Sequence, residues 1–239
     1  MRVTLFIPCF IEAIYPRVAA AMVRVLERLG HTTDVARGQT CCGQPPFNAG
    51  FWPEARAVAR RQIRLFKDAE VVVIPSGSCG AMVKNFYLEL FRGQPEADEV
   101  RRLAAKTWEF SEFIFTFLGV REVGASFPGR VTFHDGCHSL RELGTKQAPR
   151  ELLRAVRGLE LVEMKEAETC CGFGGTFAIK FPQISTAMAE VKGQSVIETN
   201  ADYVISTDSS CLMQIEGWLE RHSRREIRCL HLAEVLAHQ

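Results

Sequence analysis

The chain has 239 residues, 47% of them apolar and 24% charged, a balance that supports a substantial core and is ordinary for a soluble globular protein. Its 29 basic and 28 acidic side chains leave a net charge of +1, without the basic excess needed to track nucleic-acid phosphates. No window approaches the roughly 18 to 20 uninterrupted apolar residues of a membrane helix, so a cytoplasmic protein is expected.

Arg2 to Pro8 has the composition of a short buried strand, with no charged leader before it and Cys9 at its C-terminal end. Val18, Met22, Val25 and Leu29 form one apolar stripe, which predicts a helix over 15–29 that Gly30 stops. A second strand is expected over 31–36, then a loop holding Cys41, Cys42 and Gly43. Pro53 opens another helix. Val71 to Pro75 is a β-branched run suited to burial on both faces; it leads to Ser76-Gly-Ser-Cys79 and a helix over 81–91. The stretch 92–129 differs in kind. It holds a charged helical segment (96–106) and an aromatic one (108–118) with Phe110, Phe113, Phe115 and Phe117, and is expected to be a helical connector packed between two bodies.

From Arg130 the opening pattern returns. A strand over 131–135 ends near Cys137, a helix follows over 148–156, and a strand over 159–164 leads into Cys170-Cys-Gly-Phe-Gly-Gly-Thr-Phe177. Pro182 opens a helix, Tyr203 to Thr207 is a strand before Cys211, and a last strand over 227–232 precedes a short helix. The expected organisation is therefore α/β: two tandem repeats, 1–91 and 130–239, each a small parallel sheet flanked by helices with cysteine loops at the strand C-terminal ends.

The cysteines carry the repeat. Between Cys9 and Cys41 lie 31 residues, and between Cys137 and Cys170 lie 32; between Cys42 and Cys79 lie 36, and between Cys171 and Cys211 lie 39. Loops beyond the C-terminal ends of parallel strands cluster on one side of a sheet, where ligands bind. Each repeat thus offers four thiols to one site: Cys9, Cys41, Cys42 and Cys79, then Cys137, Cys170, Cys171 and Cys211. Four thiolates suit an iron–sulfur cluster or a closed zinc site; bare redox thiols are the third reading. Consecutive cysteines favour the cluster, because several irons can take thiols that point apart, and an adjacent-residue disulfide is strained. Three glycines after Cys171 suit a backbone that aims N–H groups at an anionic group. His134 and His138 flank Cys137 and could ligate metal, donate to a sulfur or move a proton, or equally serve as hydrogen-bonded strand-end histidines. Only the second repeat has them, which makes the 170s loop the stronger candidate for a redox centre. Cys229 lies outside the repeat and reads as a small buried hydrophobe; Glu168 reads as a surface carboxylate.

Cys41-Cys-Gly-Gln-Pro45, Pro75-Ser-Gly-Ser-Cys79, Cys170 to Phe177 and Leu230-His-Leu-Ala-Glu-Val-Leu236 together resemble the cysteine-rich CCG-domain family typified by heterodisulfide reductase, and within it the lactate-utilisation subgroup. The resemblance covers essentially the whole chain. It implies a subunit of an L-lactate oxidoreductase system forming pyruvate, with electron transfer through up to two iron–sulfur clusters, of 4Fe-4S or another type, and with zinc as the alternative at one site. It also implies two companion proteins, one carrying ferredoxin-type clusters. The family's fuller pattern has Cys-x-x-Cys at the distal position; here Ser76 and Asp208 stand in the first of those places. Five-thiolate ligation is therefore not carried over, Asp208 remains a weak oxygen ligand at most, and Ser76 a poor one.

Overall fold

The computed structural model describes residues 1–239. It contains two four-stranded, all-parallel sheets flanked by helices, as the alternation of strands and helices implies. The first comprises β1 (Arg2–Leu5), β2 (Thr32–Val35), β3 (Val72–Ile74) and β4 (Thr107–Glu109), in the order β2-β1-β3-β4. The second comprises β5 (Ser126–Phe133), β6 (Arg157–Leu161), β7 (Tyr203–Ser206) and β8 (Arg228–His231), in the order β6-β5-β7-β8. The order is the same in both, so the repeat in the cysteines is a repeat of topology.

Two sheet faces meet a common core. Val3, Leu5 and Val73 from the first sheet and Val131, Phe133 and Ile205 from the second belong to one cluster of 28 buried residues. Between them lie the apolar stripe of helix Pro16–Arg28 (Val18, Met22, Val25, Leu26) and Leu232, Val235 and Leu236 of the C-terminal helix Leu232–Ala237. Alternate residues point the other way, as the two-residue period of a strand demands. Phe6, Val72 and Ile74 face an outer core in the first half, and Val204 and Cys229 face its counterpart in the second. Arg28 fastens the shared layer by donating to the carbonyls of Val123, Leu236 and Ala237 at 2.9–3.1 Å.

The structure corrects several expectations. Residues 107–109 are not helical; they form β4, pairing with β3 through Val73 and Trp108, and a short helix starts only at Phe110. Burial of Thr107 and Glu109 against a neighbouring strand decides this, which an aromatic spacing cannot reveal. The first sheet therefore has four strands, and β8 is the counterpart of β4. Cys229 accordingly lies inside the repeat, though it is buried in the outer core as a small hydrophobe. Strand β1 ends at Leu5, so Cys9 opens a short helix, Cys9–Ile14, and Cys137 likewise opens Cys137–Arg141.

Equivalent positions of the two repeats face each other across a buried seam. Ser76 and Asp208 each stand at the N-cap of the helix that carries the distal cysteine. The Asp208 carboxylate accepts hydrogen bonds from the Ser76 hydroxyl (2.8 Å), from the Ser78 amide and hydroxyl (3.1 and 3.0 Å), and from the Ser139 hydroxyl (3.2 Å). Gly77 permits this approach, because a Cβ there would lie 1.6 Å from the Ser139 oxygen. His231, at the end of β8, accepts the Ala233 amide on Nδ1 and donates from Nε2 to the carbonyls of Pro75 and Thr207, at 3.2 and 3.1 Å. One imidazole thus joins both halves.

Burial of His231 lowers its pKa from 6.5 to about 4, so the ring is neutral in the fold. The unfolded chain takes up a proton near pH 6.5 that the folded chain refuses until about 4. His231 therefore contributes stability that is complete above pH 6.5 and is lost as pH falls through that window. The unfolding free energy, measured by urea denaturation at a series of pH values, is expected to fall less steeply between pH 6.5 and 4 in His231→Gln, which retains a donor for the two carbonyls.

Candidate functional site

The eight cysteines singled out by the repeat spacing, all but Cys229, line one cavity of about 250 Å³. It lies where the strand C-terminal ends of the two sheets converge, so residues far apart in sequence are brought together in the way the parallel topology requires. Phe10 and Phe173, one from each repeat, meet edge-to-face at 5.8 Å and join its walls. Gln44 and His138 also line it, 3.4 Å apart between Nε2 atoms.

Within each repeat the thiols form a contiguous row. Cys41 interacts with both Cys9 and Cys42, and Cys42 contacts Cys79 with 3.3 Å between sulfurs. The second repeat has the same order: Cys170 interacts with Cys137 and Cys171, and Cys171 with Cys211. The protons are unequally shared. Hydrogen bonding from Cys42 and Cys9 holds Cys41 far below the usual thiol range, and bonding from Cys137 and Cys171 does the same for Cys170. The complementary partners Cys9, Cys42, Cys137 and Cys171 are pushed up, first by those same hydrogen bonds and then by burial. Each row therefore already stabilises a thiolate, the form that ligates metal. All nine cysteines, Cys229 included, are free thiols, with no disulfide among them.

The glycine of each Cys-Cys-Gly has a specific task. Gly43 and Gly172 both have φ of +88°, the left-handed region that favours glycine. That turn sends the Gly43 amide to the Cys41 sulfur and the Gly172 amide to the Cys170 sulfur, each at 3.4 Å. The later glycines do less than expected: the 170s loop closes into a helix, Thr176–Lys180, and of its glycine amides only that of Gly172 reaches a sulfur.

The interior behind the thiols distinguishes the two rows. Gln62, on helix Trp52–Leu65, donates to the carbonyls of Thr40 and Cys41 at 2.8 and 3.3 Å. Lys192 on helix Pro182–Glu198 holds the matching place and donates to the carbonyls of Glu166 and Ala167 and to the Met164 sulfur. Burial lowers the Lys192 pKa to about 8, opposed by the nearby Cys171 and Cys211, so the second row has a buried cation behind it and the first an uncharged amide. Phe6 in the first repeat is matched by His134 in the second, each standing three places before the first cysteine of its row and each fully buried. Charge beneath the loop is not legible in the sequence, because Lys192 sits within an otherwise unremarkable helical stretch.

The remaining candidates take simpler places. His138 lines the cavity, its Nδ1 3.7 Å from the Cys137 sulfur. Asp208 also lines the cavity, and its carboxylate, engaged by Ser76, Ser78 and Ser139, forms a joint between the repeats. Ser76 is engaged in the same joint. Glu168 pairs with Lys146 at the surface, as a solvated carboxylate should. Asp135 forms a two-pronged pair with Arg150 at 2.7 and 2.8 Å, and Arg150 grips Glu163 as well, bracing the segment between His134 and Cys137.

A methyl group at Gly172 would combine left-handed strain with a Cβ 2.6 Å from the Ser185 carbonyl oxygen; at Gly43 the nearest backbone oxygen, that of Ala55, would be 3.3 Å away. Gly172→Ala is expected to lower the unfolding free energy by about 2 kcal/mol or more and Gly43→Ala by about 1 kcal/mol. Parallel urea titrations of the two variants check the order.

Comparison with known proteins matches the chain to a family described as "CCG: Cysteine-rich domain", over residues 3–84 and again over 131–216. The chain is 48% identical to lactate utilization protein A of Geobacillus thermodenitrificans, covering 100% of both chains. It is also 48% identical to the protein of that name from Geobacillus kaustophilus, over 99% of this chain and 98% of the relative. Among solved structures, a hypothetical protein from Helicobacter pylori aligns over 98% of this chain and 48% of its own length, with a TM-score of 0.60 and 13% identity, a likeness of fold alone.

Proposed function

Since the chain belongs to the CCG cysteine-rich domain family, with full-length relatives named lactate utilization protein A, we propose that it is the iron–sulfur subunit of a multi-protein system oxidising L-lactate to pyruvate. The observation that carries this reading is the pair of four-thiol rows on one cavity. Their composition fits the group. Cysteine thiolates hold such clusters, and amides aimed at the sulfurs help set their potential. When bound, such clusters accept and release single electrons.

The chain's own residues would then divide the work. Cys9, Cys41, Cys42 and Cys79 hold one cluster, and Cys137, Cys170, Cys171 and Cys211 the other. The Gly43 and Gly172 amides donate to ligand sulfurs, which stabilises the electron-rich state. Lys192 offsets negative charge at the second site only. Phe10 and Phe173 limit water between the sites. The chain has no Cys-x-x-Cys-x-x-Cys run, so electrons leave through a partner, which the reading assigns to a companion protein carrying ferredoxin-type clusters. No helix is long and apolar enough to cross a membrane.

Zinc at one site is the second reading, favoured by the burial of Cys171 and Cys211, since four thiolates also make a closed zinc site. Purification and reconstitution without oxygen, followed by iron, acid-labile sulfide and zinc analysis, separates the two. Iron with matching sulfide and a visible absorption bleached by reductant is expected. Cys171→Ser is expected to lose the signal of one site and keep the other. Zinc alone, with no reducible chromophore, would overturn the proposal.

A further inference from the structure

His134 is fully buried, and neither of its ring nitrogens makes a hydrogen bond of ordinary geometry, although the Ala167 backbone lies close enough to attract the ring. A neutral imidazole carries one N–H and one lone pair, and leaving such a group unpaired in the interior costs about 1–3 kcal/mol. The ring cannot swing out to water. Its backbone amide donates to Ile205 at 2.8 Å, and its carbonyl accepts the Ser206 hydroxyl at 3.0 Å, fixing it in the second sheet.

The surroundings show what the unpaired nitrogen faces. One ring nitrogen and the sulfurs of Cys171 and Cys211 all lie within 4.8 Å of one another. Metal–sulfur bonds of about 2.3 Å and metal–nitrogen bonds of about 2.0–2.1 Å place tetrahedral donors of one ion about 3.6–3.8 Å apart, so the three atoms lie within about an ångström of the spacing of ligands to a single metal. The fold itself does not ask for an imidazole here. The first repeat has Phe6 in this place, packed at a tilt against Phe66 with 5.3 Å between ring centres.

We propose that the second site is a mixed sulfur–nitrogen centre, in which His134 joins Cys171 and Cys211 as a ligand to the metal, whereas the first site is bound by thiolates alone. This rests on the reading of the cysteine rows as metal sites but not on the metal being iron. It gives the two repeats different ligand chemistry, and it assigns the ligating histidine to the one behind the thiols and not to His138 in the cavity.

The test uses the full-length protein, metal-free and under anaerobic conditions, loaded with Co2+ as the probe. X-ray absorption at the cobalt edge distinguishes imidazole from sulfur scattering. The wild-type protein and His138→Phe are expected to show an imidazole contribution; His134→Phe and His134→Gln are expected to lose it. His134→Phe places in the second repeat the residue that the first already accommodates, and thiolate-to-cobalt absorption from the first site serves as an internal check on folding. Removing even an outer-sphere partner of a metal ligand weakens binding about 10- to 100-fold, so cobalt affinity at the second site should fall at least about tenfold in both His134 variants. Thiolate-bound cobalt without imidazole in the wild type, or imidazole retained in His134→Phe, would overturn this inference and leave the metal reading standing. Failure of Co2+ to bind any thiolate would overturn both.

Discussion

The arrangement depends on a carboxylate buried between two halves of one chain. Asp208 takes hydrogen bonds from three serines, two of them in the opposite repeat. An unpaired buried carboxylate is costly, and one saturated by donors is directional. The seam therefore fixes not only that the halves meet but at which residues. His231, donating to one carbonyl from each repeat, adds a second fixed point. The shared apolar layer supplies cohesion without choosing an orientation; the polar seam chooses it. The distal cysteines stand within three residues of Ser76 and Asp208, so placing the seam places the thiols.

Sequence periodicity made most of the architecture legible. The stripe from Val18 to Leu29, the β-branched run at Val71 and the two cysteine spacings led directly to tandem parallel units. What stayed hidden was decided by tertiary contact. Strand β4 is too short to show alternation and sits in an aromatic stretch, so only its pairing with β3 defines it. The short helices opening at Cys9 and Cys137 have too few residues for a periodic signal.

The site was legible in its thiols and illegible in its surroundings. Eight thiols and the Cys-Cys-Gly turns follow from spacing and motif. That both rows share one cavity does not, because it depends on how one repeat is set against the other. The exchange of Phe6 for His134 and of Gln62 for Lys192 is visible only after the repeats are superposed through their strands, since the cysteine intervals differ in length. Asp208 shows the same limit. At a position where the family pattern has a cysteine, a carboxylate suggests a ligand, and only the three serines reveal a joint.

The Lys192 and Gln62 exchange bears on the electrostatics of the two thiol rows. Two rows of four thiols in the same fold would be electrically alike if the interiors behind them were the same. A fixed cation behind one of them, screened from water, makes the second row the more favourable place for negative charge such as that of a thiolate. A duplicated chain thereby acquires a front and a back, with polarity written into its interior while the thiols themselves stay unchanged.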